Sequence, residues 1–427
     1  MKFSYPSSWN IKELIDCTSD NLISYGIVQP GTNFDGGIPM LRVNNIGSNG
    51  FKLDKVLNVQ PDIEKKHVRT RLKGGEVLIT VVGTTGMCMV VPKFMEGWNV
   101  ARAIAVIRPT TELGAEWIKL CLQTNQTKNF LDARANTTVQ KTLNLKDIKK
   151  IPIPLPPQKS RENIQLIIGS LDDKIELNRK MNQTLEEMAQ ALFKSCFIDF
   201  TPVHAKANTS SNADYDQIAK ELGISREVLD LFPDGFEESE LGMIPIGWKV
   251  KELGDFFPVV TGKKNANIAT NDGKYIFFTC SQSASKTDVY SFDAAAILLA
   301  GNCDFNVKWY RGKFEAYQRT YVLIPRDIEF LSFLYFLISY KLSDITQSSQ
   351  GSVVKFITKG MIENYKIALP NEIVLKDLVG IFSNINFKIE GNLEQIKTLQ
   401  KTRDTLLPKL LSGELDVSEL ELDNATH

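Results

Sequence analysis

Two short stretches carry side chains able to grip a polyanion. Lys65, Lys66, His67, Arg69, Arg71 and Lys73 put six basic side chains within nine residues, a density that suits contact with phosphates. The segment Asn302–Arg319 interleaves Lys308, Trp309, Tyr310, Arg311, Lys313, Gln318 and Arg319. Cations, rings and amides in that mixture can meet phosphates, sugars and base edges together. The plainer readings are a solvated loop for the first stretch and an amphipathic hairpin for the second.

Catalytic constellations are missing. No G-x-x-x-x-G-K-[ST] loop occurs, since Gly262-Lys263-Lys264 lacks both the loop and its hydroxyl. Gly83-Thr-Thr-Gly86 reads as a hairpin bend, not as a dinucleotide turn. There is no Asn/Asp-Pro-Pro-Tyr/Phe run to hold an adenine amino group for methylation. Asp62 and Glu64 match a nuclease carboxylate cluster only weakly, because no E-x-K follows. With His67, His204 and His427 the only histidines, neither a Ser-His-Asp triad nor a histidine-held metal is expected. Cysteines 17, 88, 121, 196, 280 and 303 show no pairing rhythm and read as reduced, packed thiols of a cytoplasmic protein.

The bulk numbers agree with a soluble chain. At 427 residues, 43% hydrophobic and 23% charged, two or three domains are expected. No apolar run approaches the roughly 18 residues that span a membrane, and the N-terminus lacks a signal-peptide core. Net charge is zero, yet residues 1–150 carry 20 Lys and Arg against 13 Asp and Glu, and 240–360 carry 14 against 11. Basic globular halves on an acidic frame offer local footprints for a polyanion.

Something must position those footprints. From Pro156 to Phe200 apolar residues recur at Ile164, Ile168, Leu171, Ile175, Leu185, Ala189 and Leu192. Steps of three and four make this the seam of a heptad helix, roughly 60 Å long at ~1.5 Å per residue. Asn178 and Asn182 lie in the seam, where a buried Asn fixes register and partner. A shift of 214 residues brings the pattern back as Leu378, Phe382, Ile385, Ile389, Asn392, Ile396, Leu399 and Leu406. The Leu155-Pro156 lead-in returns as Leu369-Pro370, and Val139, Lys141, Ile148 and Ile153 return as Val353, Lys355, Ile362 and Ile367. A front motif, Trp9 to Asp16, returns at a shift of 239 as Trp248 to Asp255. The chain reads as a tandem duplication of one unit, a globular segment followed by a long helix. The expected packing residues are Ile168, Leu171, Ile175, Asn178, Asn182 and Leu185 against Phe382, Ile385, Ile389, Asn392, Ile396 and Leu399.

Coarse patterning fills in the rest. Strands are expected at Ile38–Val43, Glu76–Val82, Cys88–Val91, Ala101–Ile107, Ile276–Thr279, Ala295–Ala300 and Thr320–Ile324. Helices are expected from Trp117 and over Phe330–Leu342. The last helix is expected over Ile373–Leu407, meeting Pro408 and ending near Gly413.

A tandem pair of globular units, each followed by a heptad helix, resembles the specificity subunit of type I restriction–modification enzymes. The sharpest marks are Leu155-Pro-Pro-Gln158, Asp172-Asp-Lys-Ile-Glu-Leu-Asn178, Leu185-Glu-Glu-Met-Ala-Gln-Ala-Leu-Phe-Lys194, Leu241-Gly-Met-Ile-Pro-Ile-Gly-Trp248, Tyr317-Gln-Arg-Thr-Tyr-Val-Leu323 and Leu407-Pro-Lys-Leu-Leu-Ser-Gly-Glu414. One departure is Arg403, which stands in the second seam where the first has Ala189.

The resemblance implies an α/β fold: two α/β target-recognition domains and two long antiparallel coiled-coil helices, a pseudo-twofold tandem repeat. The expected division is recognition domain 1 over 1–150, spacer helix 1 over 151–200, and a linker with a small helical insert over 201–247. Recognition domain 2 follows over 248–364, spacer helix 2 over 365–414, and a disordered acidic tail over 415–427. Each domain would read one half of a bipartite, asymmetric site in double-stranded DNA, and the helices would set the spacer. Such subunits do not catalyse and hold no cofactor. They dock two adenine methyltransferase subunits that bind S-adenosylmethionine, and restriction subunits that use ATP and magnesium. Expected DNA contacts are Lys65, Lys66, Arg69, Arg71, Arg102, Lys141, Lys263, Lys308, Tyr310, Arg311, Gln318, Arg319 and Lys355. Lys141 and Lys355 occupy equivalent repeat positions. Arg102 and Arg319, each shortly before a strand-closing Pro, are a second candidate pair. The competing expectation is a coiled-coil adaptor with protein-binding ends and no DNA role.

Overall fold

The structure, a computed structural model, describes residues 5–47, 50–135, 142–209, 214–302, 304–347 and 356–421. The chain divides into two compact units, Met1–Glu176 with Ile396–His427, and Leu177–Gln395. Elements of the first are β1 (Asn10–Glu13), β2 (Thr18–Tyr25), β3 (Val77–Thr80), β4 (Cys88–Val90), β5 (Ile104–Pro109), α1 (Gly114–Gln123) and β6 (Pro152–Leu155). Helix α2 (Gln158–Phe197) follows. Those of the second are β7 (Lys249–Glu252), β8 (Val259–Thr261), β9 (Tyr275–Phe278), β10 (Ser285–Thr287), β11 (Phe292–Ala300), β12 (Val307–Ala316) and β13 (Thr320–Leu323). They close with α3 (Leu331–Gln347), β14 (Lys366–Leu369) and α4 (Glu372–Leu411).

The front motif and the proline-rich lead-in meet as one antiparallel strand pair in each unit. Asn10 lies opposite Leu155 in β1–β6, and Lys249 lies opposite Leu369 in β7–β14. Sequence patterning treats Pro152–Leu155 as a gate between segments; it is a strand. Pro152 and Pro154 are two apart, so their missing N–H groups share one side of a two-stranded ladder and cost no pairing. On that side the Pro154 carbonyl accepts from Trp117 Nε1 at 3.0 Å.

The first unit's main sheet has the order β2-β5-β3-β4. Val77, Leu78 and Ile79 are all fully buried, so β3 reads as an apolar run without alternation. Trp117 and Ile118 of α1 share a core with Ile164 and Ile168 of α2 and with Leu407, Leu410 and Leu411 of α4. Those last contacts explain why α4 does not stop at Pro408: three buried leucines hold the final turn in place. A smaller sheet centres on Ile38–Leu41, with Leu57–Val59 antiparallel and Asn99–Val100 parallel to it.

The second unit's sheet has the order β8-β13-β11-β12-β9-β10, with α3 against it. Phe193 and Phe197 of α2 meet Phe333 of α3 at ring separations of 5.6 and 5.0 Å, and Phe193 meets Phe382 of α4 at 6.3 Å. Residues 201–247 contain short helices, Thr201–Ala207, Tyr215–Leu222 and Arg226–Asp230, and also join the core of this unit. Val203, Phe232 and Ile244 are buried in this same core, and Phe236–Ser239 pairs with Gly242–Pro245 as a hairpin. The segment 415–421 also differs from a disordered tail. Val417 is buried in the first unit, and Asn163 Nδ2 donates to the carbonyls of Val417 (2.7 Å) and Leu420 (3.0 Å).

Residues of the two long helices pair within each unit, and in the second the pairs run in opposite directions along the chain. In the first, Arg403 binds Asp172 at 2.8 Å. In the second, Asn178 Nδ2 donates to Gln395 Oε1 (2.7 Å), and Asn392 Nδ2 donates to Asn182 Oδ1 (2.7 Å). All twelve expected packing residues are buried or half-buried. Arg403 stands where the first helix has Ala189, and its partner Asp172 stands where the second has Asn386, so this ion pair has no counterpart in the repeat.

Candidate nucleic-acid interface

The basic loop of the first unit is a short 3-10 turn, Lys65–Thr70, lying on a buried polar network. Asn99 Nδ2 donates to Glu64 Oε1 (3.0 Å) and to the His67 carbonyl (3.1 Å), while its Oδ1 accepts from Thr70 Oγ1 (2.8 Å). Lys65, Lys66 and Arg69 are left facing solvent, with Lys65 also 3.1 Å from the exposed Asp62. Arg71 departs from the expectation of a free cation. Its Nε donates to Glu64 Oε1 at 2.9 Å and its second nitrogen binds Glu64 Oε2. The Arg71 hydrogen bonds hold the buried Glu64 carboxyl below its ordinary range. Glu64 is nearly inaccessible, and leaving it without a cation would strand a buried charge.

In the second unit Gln318 and Arg319 are exposed on the turn from β12 to β13, and Lys263 is exposed beside them after β8. Thr261, Asn302 and Phe356 join Gln318 and Arg319 around a cleft of about 350 Å³. Lys308 is tied down nearby, its ammonium donating to the Ser281 carbonyl (2.8 Å) and to Asn306. Burial pulls that ammonium below its ordinary range. Two expected contacts lie elsewhere. The Tyr310 ring packs on Phe278 (5.4 Å) and Phe314 (5.8 Å), which makes it part of a hydrophobic cluster, and Arg311 pairs at 3.9 Å with Glu390 of α4. Lys141 and Lys355 lie outside the described residues.

Backbone bonds establish which positions of the two units correspond. Gly26 N donates to the Ile104 carbonyl (3.2 Å) as Gly262 N donates to that of Thr320 (3.1 Å). Arg102 N donates to the Ile27 carbonyl (2.8 Å) as Gln318 N donates to that of Lys264 (3.0 Å), the crossing segment of the second unit holding one extra residue after its glycine. Val81 N donates to the Ala103 carbonyl (2.9 Å) as Gly301 N donates to that of Arg319 (2.9 Å). The counterpart of Arg102 is therefore Gln318, and that of Arg319 is Ala103. Pairing Arg102 with Arg319 by their distance from a proline is off by one residue. At each crossing only glycine fits: a Cβ would sit 1.9 Å from the Val100 carbonyl oxygen at Gly26, and 1.9 Å from that of Ala316 at Gly262.

Sequence reading missed Asn302, Phe356 and Asn99, and weighed Glu64 only as half of a weak nuclease match. Phe356 lies 214 residues after Thr142, and Asn302 bridges Phe356 as Val82 bridges Thr142, so the repeat itself held that signal. Among the described residues, no group of three or more His, Cys, Asp or Glu is arranged to hold a metal. No helix of the described residues is long and apolar enough to cross a membrane. Burial pushes the Cys88 and Cys196 thiols up to about 12, leaving them without ready nucleophilic chemistry.

The sequence profile of the type I restriction modification DNA specificity domain matches residues 10–187 and 245–396. The chain belongs to that family. Its two specificity domains each run from the paired front strand into one of the long helices. The EcoDI specificity subunit of Escherichia coli is 40% identical over 179 residues, covering 41% of this chain and 40% of that subunit. The HindI specificity subunit of Haemophilus influenzae is 26% identical over 448 residues, covering 88% and 94%. The crystal structure of a type I restriction–modification S subunit from M. genitalium is 14% identical, with a TM-score of 0.47 over 96% of this chain and 98% of that one.

Proposed function

We propose that this chain is the non-catalytic, DNA-reading subunit of a cytoplasmic type I restriction–modification complex. Each specificity domain reads one half of a bipartite, asymmetric duplex site. The helix pair sets the spacer and docks two adenine methyltransferase subunits, which bring S-adenosylmethionine. Restriction subunits bring ATP and magnesium. The observation that carries the reading is duplication at the level of individual hydrogen bonds: two differently decorated turns on one backbone plan suit two different half-sites. Around them Lys65, Lys66, Arg69 and Lys263 supply phosphate contacts, and Arg102, Gln318 and Arg319 reach toward base edges.

The test is co-purification with an adenine methyltransferase encoded beside this chain, followed by duplex binding and methylation assays. The complex should methylate one bipartite sequence, and duplex affinity should fall steeply between low and moderate salt. Methylation without sequence preference, or no partner at all, would leave the adaptor reading in its place.

A further inference from the structure

The turn at Arg102 and the turn at Gln318 share a backbone plan but not a side chain, and that contrast has chemical content. Both residues are exposed. Among the described residues neither side chain makes a hydrogen bond or ion pair, whereas Arg71 and Lys308 nearby are both tied down. The backbone beneath each is pinned on both sides, by the bond to Ile27 or Lys264 and by the bond two residues on to Ala101 or Tyr317. Glycine at 26 and at 262 allows the crossing strand to press directly against these turns. A side chain on such a rigid mount loses little backbone freedom when it binds.

Each mount also stands beside phosphate-seeking cations. Asn99, three residues before Arg102, holds the loop of Lys65, Lys66 and Arg69. Lys263 directly precedes the residue that fixes Gln318. Cations that clamp the backbone next to a rigidly held planar side chain are the arrangement that direct base readout requires.

We infer that Arg102 and Gln318 are corresponding base-reading side chains, Arg102 set for guanine in one half-site and Gln318 for adenine in the other. The arginine fork matches guanine O6 and N7, and the glutamine amide matches adenine N6 and N7. Arg319 does not share this position, since its counterpart is Ala103. The assignment rests on the DNA-reading function proposed above.

Selection from randomised duplexes by the full chain in complex with its methyltransferase tests it, using wild type, R102Q, Q318R and R102A. In R102Q one position of one half-site should turn from guanine to adenine by about tenfold or more. Q318R should turn one position of the other half-site the opposite way, and R102A should make its position indifferent. Uniform weakening with unchanged base preference would make these residues phosphate contacts and overturn the assignment. So would a single substitution that alters both half-sites. Absence of any selected sequence with wild type would overturn the proposed function as well, which separates the two failures.

Discussion

Arg69 and Arg71 are separated by one threonine, yet they face different media. Arg69 is exposed, whereas Arg71 neutralises Glu64 under the loop. Arg69→Ala should leave stability unchanged, weaken binding to all duplexes alike and flatten the salt dependence by about one counterion; titrations at several salt concentrations would check this. Arg71→Ala should lower stability at neutral pH by leaving the buried Glu64 carboxylate without its cation, with only Asn99 still donating to it. The sign with pH follows from Glu64, whose folded pKa is lowered from 4.5. Its contribution is present above that value and is lost as pH falls through the folded pKa. The gap between wild type and Arg71→Ala in denaturant unfolding should therefore close in acid. A gap independent of pH would remove Glu64 from the explanation. Nothing in the sequence distinguishes the two arginines, because the distinction lies in Asn99, which folding brings from 35 positions past Glu64.

The elements were legible to different degrees, for a physical reason. Heptad spacing is a local property of one helix, so α2 and α4 could be read directly, as could strands such as β3 and β11 that are buried runs of β-branched or aliphatic residues. β1 and β6 could not. Each makes sense only against the other, and β6 contains the prolines that ordinarily argue against a strand. Folding likewise fastened 415–421 through Asn163. Within the helix pair, Asn182 and Asn392 form the one Asn–Asn hydrogen bond among the described residues, while the repeat counterpart of Asn182 is Ile396 and Asn178 bonds Gln395. Asn182→Ile alone should destabilise by about 1–3 kcal/mol, since Asn392 keeps a buried amide without its partner. The double variant with Asn392→Ile should recover most of that loss, as matched apolar groups replace a matched polar pair. A double-mutant cycle by chemical denaturation gives the coupling; additive losses would mean that the pair does not act as a unit.

At the scale of the molecule, each specificity domain carries its own exposed turn, cations and strand pair, so under the proposed function exchange should be modular. Replacing Asn10–Leu155 keeps both strands of β1–β6 from one parent, whereas a cut at residue 150 separates them. The replacement should therefore change one half-site and leave the other intact. The helices pose the complementary test. Both run for 40 residues through the two units, and the proposed function makes their length the determinant of the spacer. One heptad added to each, near Leu177 and Gln395, preserves every seam contact because the apolar period is seven. Seven residues add ~10.5 Å of helix, and duplex DNA rises about 3.4 Å per base pair. Methylome sequencing of cells carrying the lengthened chain should show both half-sites unchanged and a spacer longer by about three base pairs. An insertion of two residues in one helix alone should instead abolish methylation, because about 200° of added rotation turns the seam of that helix away from its partner. A lengthened pair that still methylates the original spacer would show that the separation is set elsewhere.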